Sequence, residues 1–175
     1  MFVMHFLGDL HQPLHVAGYK RGGNLLEPLC WKRAPPTGKK NCSGDLNLHE
    51  VWDTRIVHQL RGVALSLDTP KEKAAAAKWA GELFKKQKAA GQTASSDCAD
   101  LSSLRCILGW AKESNGLVCE SVLKRGEEWI LSHDLSKDYF EENAEVVDDL
   151  VGKAGLRLAA WLNAISATTG GRGDL

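Results

Sequence analysis

The stretch VDDLVGKAGLRLAAWLNAI, residues 147–165, decides the fold class, because its apolar side chains recur at every third or fourth position. That spacing places them on one face of an α-helix and differs from the alternation typical of a strand. The face is formed by Val147, Leu150, Val151, Ala154, Leu158, Trp161, Leu162 and Ile165. We expect this helix to begin at Ser136, and residues 168–175 to form a disordered tail.

The remainder of the chain also favours helices, and no part of it is dominated by strand patterns. Further helices are predicted over about 48–60, 69–90, 100–111 and 116–131. Thr69, Pro70 and Glu72 mark the start of the second of these with a capping box, and Asp100 can cap the third. Residues 18–46 are rich in Gly and Pro and predict an irregular segment or a short hairpin. The prediction is an all-α fold in a single domain, residues 1–167.

The first ten residues carry five apolar side chains on a helical period: Phe2, Val3, Phe6, Leu7 and Leu10. We expect a buried helix that ends near Pro13. We expect no signal peptide in this chain, because Met1–Leu7 lacks a basic start and His5 and Asp9 interrupt the apolar stretch. No apolar run approaches the roughly 20 residues of a membrane-spanning helix, so no membrane association is expected.

Composition indicates a folded chain of ordinary charge. Of its 175 residues, 43% are hydrophobic and 25% charged, and 22 basic residues balance 22 acidic ones, which excludes disorder and a strongly basic nucleic-acid arm. Locally, six basic residues and one acidic residue lie between Gly18 and Cys42, whereas nine acidic residues and one basic residue lie between Gly126 and Leu150. Such runs are usually solvated surface; the functional alternative is a basic loop beside a phosphate-handling site.

The five cysteines include no C-x-x-C pair, so a zinc ribbon or a thioredoxin-like motif is not supported. Cys30 with Cys42, and Cys98 with Cys106, each bracket a short segment and can close local disulfides, which would suit an oxidising compartment. Cys119 is left over, either as a buried free thiol or with a partner outside this chain. Asn41-Cys42-Ser43 is an N-glycosylation triplet.

Histidines and carboxylates are concentrated in the first third of the chain. His5 and Asp9 are four residues apart, as are His49 and Asp53, so each pair shares one helix face. His15 follows across a bend and can turn toward the same centre. Imidazole nitrogens and carboxylate oxygens are the ligands that zinc takes when cysteine is absent. The five residues predict a metal site, since burying them without a metal would be costly.

Other interpretations of these residues are weaker. His49-Glu50-x-x-Asp53 differs from the H-E-x-x-H motif of metalloproteases, because Asp53 takes the place of the second His. Arg21-Gly22-Gly23-Asn24 lacks the frame of a phosphate-binding P-loop. Three histidines have no carboxylate at a useful spacing and are expected at the surface or in supporting positions: His11, His58 and His133.

The order and spacing of three motifs resemble a known family. HFLGDLHQPLH (residues 5–15), GGN (22–24) and NLHEVWD (47–53) look like core motifs of the zinc-dependent single-strand nucleases and 3′-nucleotidases of the S-one/P-one type, which are related to the zinc phospholipases C. Weaker echoes at Trp110–Asn115 and Tyr139–Ile165 extend the resemblance over nearly the whole chain. It implies a mostly helical domain of the phospholipase C/nuclease type, in a chain that lacks the family's N-terminal part.

The resemblance implies roles for individual residues. It makes His15, His49 and Asp53 the three protein ligands of one zinc ion (Zn2+). His5 resembles a ligand of a second zinc, and Asp9 resembles the catalytic carboxylate that bridges the second and a third. The family holds three zinc ions, and one complete site is implied for this chain.

The same resemblance extends to the substrate and the compartment. Asn24, with Lys20 and Arg21, is implied to hold phosphate, and Cys119 is implied to pair with a cysteine upstream. The implied function is hydrolysis of single-stranded DNA and RNA, and of 3′-nucleotides, by a hydroxide that several zinc ions activate. A secreted protein without an obligate protein partner is expected. A truncated, non-catalytic zinc-binding remnant and a zinc phospholipase C relative are the alternatives.

Overall fold

The computed structural model describes residues 2–32, 42, 46–62, 69–92, 98 and 103–170. Within them the α-helices are α1 (Phe2–Asp9), α2 (Leu48–Glu50), α3 (Ile56–Arg61), α4 (Thr69–Ala89), α5 (Arg105–Leu117), α6 (Glu127–Ser132) and α7 (Asp138–Gly170). A 3₁₀ turn, Pro13–Val16, follows α1, and π-helical turns at Val51–Arg55 and Val118–Val122 continue α2 and α5. No strand occurs in the described residues, and the predicted all-α fold is confirmed.

The long helix α7 is the element on which α1, α3 and α4 pack. The larger hydrophobic core lies between α7, the π turn after α2 and the irregular segment before it. At its centre Trp52 donates from Nε1 to the hydroxyl of Tyr139 at 2.8 Å, and that hydroxyl donates to the carbonyl of Val122 at 2.9 Å. Both polar groups of the buried pair are thereby satisfied, and the π turn is fixed against α7.

The helix predicted from residues 147–165 is present but has different limits. It begins at Asp138, two residues after Ser136, and extends to Gly170, so residues 168–170 are helical and residues 171–175 lie outside the described residues. Val147, Leu150 and Trp161 are buried, whereas Val151 and Leu162 are exposed. The apolar face is therefore only partly covered.

The prediction of a buried first helix is wrong. Only Leu7 of α1 is buried, where it packs with Trp110 and Trp161, whereas Phe2, Met4 and Phe6 are 74%, 55% and 58% exposed. Helical spacing shows which side chains share a face, but whether another element covers that face is a tertiary property. Here Phe2 and Phe6 line an open cleft.

The segment between residues 103 and 132 also departs from the prediction. Leu104 and Leu108 are exposed and Trp110 is the buried anchor of α5, while Asp100 lies outside the described residues. The helix predicted over 116–131 is interrupted, because Gly126 has a φ of +80° and begins α6 as a separate helix. A left-handed residue of this kind cannot continue an α-helix.

The irregular segment contains no hairpin in its described residues. The amide of Leu29 donates to the carbonyl of Leu46 at 2.9 Å, and Cys30 instead forms an isolated bridge with Asp134. Disulfides join Cys30 to Cys42 and Cys98 to Cys106, as predicted. Cys119 is a free thiol that is exposed, so the buried-thiol alternative is wrong. Asn41 lies outside the described residues.

Two residues of the acidic run between Gly126 and Leu150, Asp148 and Asp149, form contacts with α4. Asp149 accepts an ion pair from Lys153 at 2.7 Å and a hydrogen bond from Gln87 of α4 at 3.2 Å. Trp79 of α4 donates from Nε1 to Asp148 at 2.8 Å. These acidic side chains attach α4 to α7. In the described part of the chain, no helix is long and apolar enough to cross a membrane.

Candidate metal centre

Three of the predicted ligands come together at one point. Nε2 of His15 and Nε2 of His49 each lie 3.2 Å from a different carboxylate oxygen of Asp53, and one ligand atom from each residue lies within 4.8 Å of the other two. The two imidazole rings stack, with their centroids 4.9 Å apart and an interplanar angle of 18°. We call these residues the triad.

Two short elements hold the triad. Asn47 caps α2, accepting a hydrogen bond from the amide of Glu50 at 2.9 Å, and thereby fixes the turn that carries His49. Asp53 follows in the π turn, a local helix distortion that is frequent at functional sites. His15 lies in the 3₁₀ turn, which the side chain of Gln12 caps through the amide of Leu14.

A left-handed turn supports His49 from the other side. Four consecutive residues, Lys20 to Gly23, have positive φ, from +47° to +83°. The carbonyl of Gly22 lies 2.7 Å from Nδ1 of His49, so Nδ1 donates and leaves Nε2 free to act as a ligand. A Cβ on Gly22 would lie 2.7 Å from the carbonyl oxygen of Leu14, and one on Gly23 would lie 3.2 Å from the amide of His49. Only glycine fits at Gly22.

The other two predicted ligands, Asp9 and His5, lie beside the triad on the side of His15. Oδ1 of Asp9 lies 3.4 Å from Nδ1 of His15, and Oδ2 of Asp9 lies 3.2 Å from Nε2 of His5. The five predicted residues therefore form a continuous chain of imidazoles and carboxylates from His5 to His49. His5 is at its exposed end.

The triad fits a zinc ion by its donor set and by its spacing. Two imidazole nitrogens and one carboxylate are a common ligand set for catalytic zinc, which keeps a fourth position open. Zinc bonds of about 2.0–2.1 Å put tetrahedral ligands roughly 3.3 Å apart. Nε2 of His49 lies 3.2 Å from Oδ2 of Asp53, in agreement with that value, and Nε2 of His15 lies at the same distance from Oδ1.

A cleft of about 790 Å³ is lined by three of these five predicted residues. Asp9, His15 and His49 form its polar part, Phe2 and Phe6 line its apolar part, and Arg21 lies at its edge. A basic side chain beside a cleft that contains candidate metal ligands suits an anionic ligand.

Of the three residues expected to hold phosphate, two have side chains that already bind other groups of the protein. Lys20 forms an ion pair with Glu127 at 3.3 Å, and the side-chain amide of Asn24 donates to the carbonyl of Arg21 at 2.9 Å. The guanidinium of Arg21 has no ion pair within the part of the chain that the structure describes. Of the three, Arg21 is the one that lines the cleft, and its side chain has no ion pair among the described residues.

His11 was expected at the surface or in a supporting position, and the structure places it in the interior. It is 4% exposed, with Nδ1 2.6 Å from the carbonyl of Leu7 and Nε2 2.8 Å from Nη1 of Arg157. Since Arg157 can only donate, Nε2 accepts and Nδ1 carries the proton. Burial lowers the pKa of His11, which is consistent with a neutral ring.

Arg157 also belongs to a network of hydrogen bonds and ion pairs between α5 and α7. Its Nη2 donates to Glu113 of α5, which also accepts from Lys153 at 2.7 Å. Burial alone would raise the pKa of Glu113, but the hydrogen bonds from Lys153 and Arg157 outweigh it and lower that pKa. His11 has no carboxylate at helical spacing in the sequence, so this network was not predicted.

Comparison with known proteins supports the resemblance. A family model described as S1/P1 Nuclease matches residues 1–167. Nuclease S1 of Aspergillus oryzae is 33% identical over 174 residues, covering 95% of this chain and 53% of that protein. Nuclease P1 of Penicillium citrinum is 30% identical over 172 residues, which cover 94% of this chain and 56% of that protein. Endonuclease 2 of Arabidopsis thaliana is also 30% identical, over 94% of this chain and 50% of that protein.

The chain therefore spans about half the length of the curated relatives it matches. The family match nevertheless runs through α1, the triad and α7, and so includes every predicted ligand. On this match, the chain belongs to the S1/P1 nuclease family.

Proposed function

We propose that this chain is a zinc-dependent phosphodiesterase that hydrolyses single-stranded DNA and RNA, and also 3′-nucleotides. The triad carries the proposal, because its ligand atoms lie within 4.8 Å of one another beside an open cleft. The names of the relatives, which are nucleases and endonucleases, support nucleic acid as the substrate class.

His15, His49 and Asp53 would hold one zinc ion. Zinc supplies Lewis acidity, which polarises a phosphoryl oxygen and makes bound water more acidic. His5 and Asp9 would contribute to further metal binding, in line with the family resemblance, and Asp9 would orient the attacking water by accepting its hydrogen bond from the cleft side. Gly22 keeps the His49 ring in place through its carbonyl.

Arg21 would bind the substrate phosphate in preference to Lys20 and Asn24, since those two side chains already have partners. Its guanidinium can form two parallel hydrogen bonds to a phosphate. The unpaired bases of a single strand would then lie along the apolar part of the cleft, where Phe2 and Phe6 offer exposed rings for stacking. The two disulfides support a secreted or extracytoplasmic protein.

The test combines metal content with cleavage. The purified chain is dialysed against zinc, analysed for bound metal and assayed on single-stranded DNA, RNA, duplex DNA and phosphatidylcholine. We expect bound zinc and cleavage of the single strands, and loss of both in His49→Ala. His133→Ala is the matched control, because His133 stacks on Trp129 outside the cleft and should leave both unchanged.

Each contrary outcome removes a defined part of the proposal. A folded protein without bound zinc would overturn the metal site. Bound zinc without cleavage of any nucleic acid would overturn the catalytic proposal and favour a non-catalytic zinc-binding protein. Hydrolysis of phosphatidylcholine in place of DNA would favour a phospholipase.

A further inference from the structure

We propose that Gln12 is a positioning residue that fixes the orientation of the Asp53 carboxylate between His15 and His49. The proposal rests on the metal site described above. Gln12 is half-buried between the 3₁₀ turn that carries His15 and the π turn that carries Asp53, two segments that are 41 residues apart in sequence.

The two ends of the Gln12 amide have different partners. Oε1 accepts a hydrogen bond from the backbone amide of Leu14, and Nε2 donates to Oδ1 of Asp53 at 2.8 Å. The Leu14 N–H can only donate, so it requires the oxygen of the amide on its side. The nitrogen must then face Asp53, and the orientation of Gln12 is fixed by the backbone.

This contact fixes the plane of the Asp53 carboxylate. Oδ1 accepts the hydrogen bond from Gln12 and lies 3.2 Å from Nε2 of His15, whereas Oδ2 lies 3.2 Å from Nε2 of His49. A carboxylate held in this way keeps one oxygen beside each imidazole of the triad. Outer-shell partners of this kind typically contribute about 10–100-fold to metal affinity.

Gln12 also couples the positions of two ligands. The same amide caps the turn of His15 and holds Asp53, so the separation of His15 from Asp53 depends on one side chain. Methionine at this position has a similar length but neither the donor nor the acceptor. Asparagine keeps an amide that is one methylene shorter and cannot span both partners.

The experiment compares Gln12→Met and Gln12→Asn with Gln59→Met. Gln59→Met is the matched control, since Gln59 of α3 also joins two segments, by donating to the carbonyl of Ser136 at 3.0 Å, but does not line the cleft. Zinc affinity is measured by competition with a chromophoric chelator, ligand geometry by the visible absorption of the cobalt(II)-substituted protein, and folding by thermal unfolding in EDTA.

We expect a lower unfolding midpoint in EDTA for both Gln12→Met and Gln59→Met, since each loses a hydrogen bond between two segments. Only the two Gln12 variants should lose about 10–100-fold in zinc affinity and change the cobalt spectrum. An equal loss of affinity in Gln59→Met, or unchanged affinity in both Gln12 variants, would overturn the positioning role. Absence of zinc binding by the unmodified protein would instead overturn the proposed metal site itself.

Discussion

His49 donates a hydrogen bond from Nδ1 to the carbonyl oxygen of Gly22 at 2.7 Å, and so joins a candidate metal ligand to the left-handed turn 20–23. A carbonyl can only accept, so this contact places a proton on Nδ1, and in the neutral imidazole Nε2 is then the nitrogen available to a metal. The orientation of His49 therefore depends on the backbone of a turn 27 residues earlier in the chain.

The first prediction concerns that turn. Gly22→Ala should lower the free energy of unfolding by at least about 2 kcal/mol, since a left-handed alanine costs roughly 1–2 kcal/mol and the clash of its Cβ adds to this. Zinc affinity should fall as well, because the carbonyl that orients His49 moves. Chemical denaturation and a zinc titration measure both effects. Gly18→Ala is the control: its Cβ meets nothing within 4 Å, and both quantities should stay near those of the parent protein.

The second prediction concerns the centre of the core. Tyr139→Phe removes the hydroxyl that accepts from Trp52 and donates to Val122, which leaves two buried groups unpaired. An unsatisfied buried group costs about 1–3 kcal/mol, so denaturation should show a loss of roughly 2 kcal/mol or more. Tyr19→Phe removes a hydroxyl that contacts the half-exposed Glu127. We expect this variant to lose less free energy of unfolding than Tyr139→Phe. If both variants lost the same free energy of unfolding, the greater cost predicted for the buried hydroxyl of Tyr139 would be wrong.

Part of the site was predictable because it depends on local geometry. The pairs His5–Asp9 and His49–Asp53 lie four residues apart, and helical geometry alone brings each pair to 3.2 Å. The two local disulfides and the helix α7 follow from spacing in the same way. In these cases the contact is made within a single element or across a short loop.

Contacts between distant segments that no family motif marks were not predictable. His11 has no carboxylate at helical spacing, and its burial depends on Arg157, which is 146 residues away. The exposure of Phe2 and Phe6 likewise depends on which elements pack beside α1 and not on the apolar period of α1 itself. A single sequence carries no information about such pairings until the helices are placed in space.

A third prediction follows from the lowered pKa of Glu113. A carboxyl whose pKa is lower in the folded than in the unfolded state adds stability above its unfolded pKa, and this contribution is lost as the pH falls through the folded pKa. Below about pH 4.3, the ordinary pKa of glutamate, the stability advantage of the parent protein over Glu113→Gln should therefore shrink. Urea denaturation of both proteins between pH 6 and 3 measures this difference in the free energy of unfolding. Glu120→Gln, at an exposed residue without an ion pair among the described residues, should show no such trend.

The last prediction concerns metal removal. An ion that binds only the folded chain stabilises it by about 2.7 kcal/mol at a free concentration one hundred times its dissociation constant. Zinc should therefore raise the unfolding midpoint, and EDTA should reverse the increase. His15→Ala should lose the effect, because Asp53 and His49 alone leave the triad one ligand short. His58→Ala, at a histidine outside the triad and the cleft, is the control and should keep it. A zinc-dependent increase that survives in His15→Ala would show that the ion binds elsewhere, whereas its loss in that variant alone would place the ion at the triad.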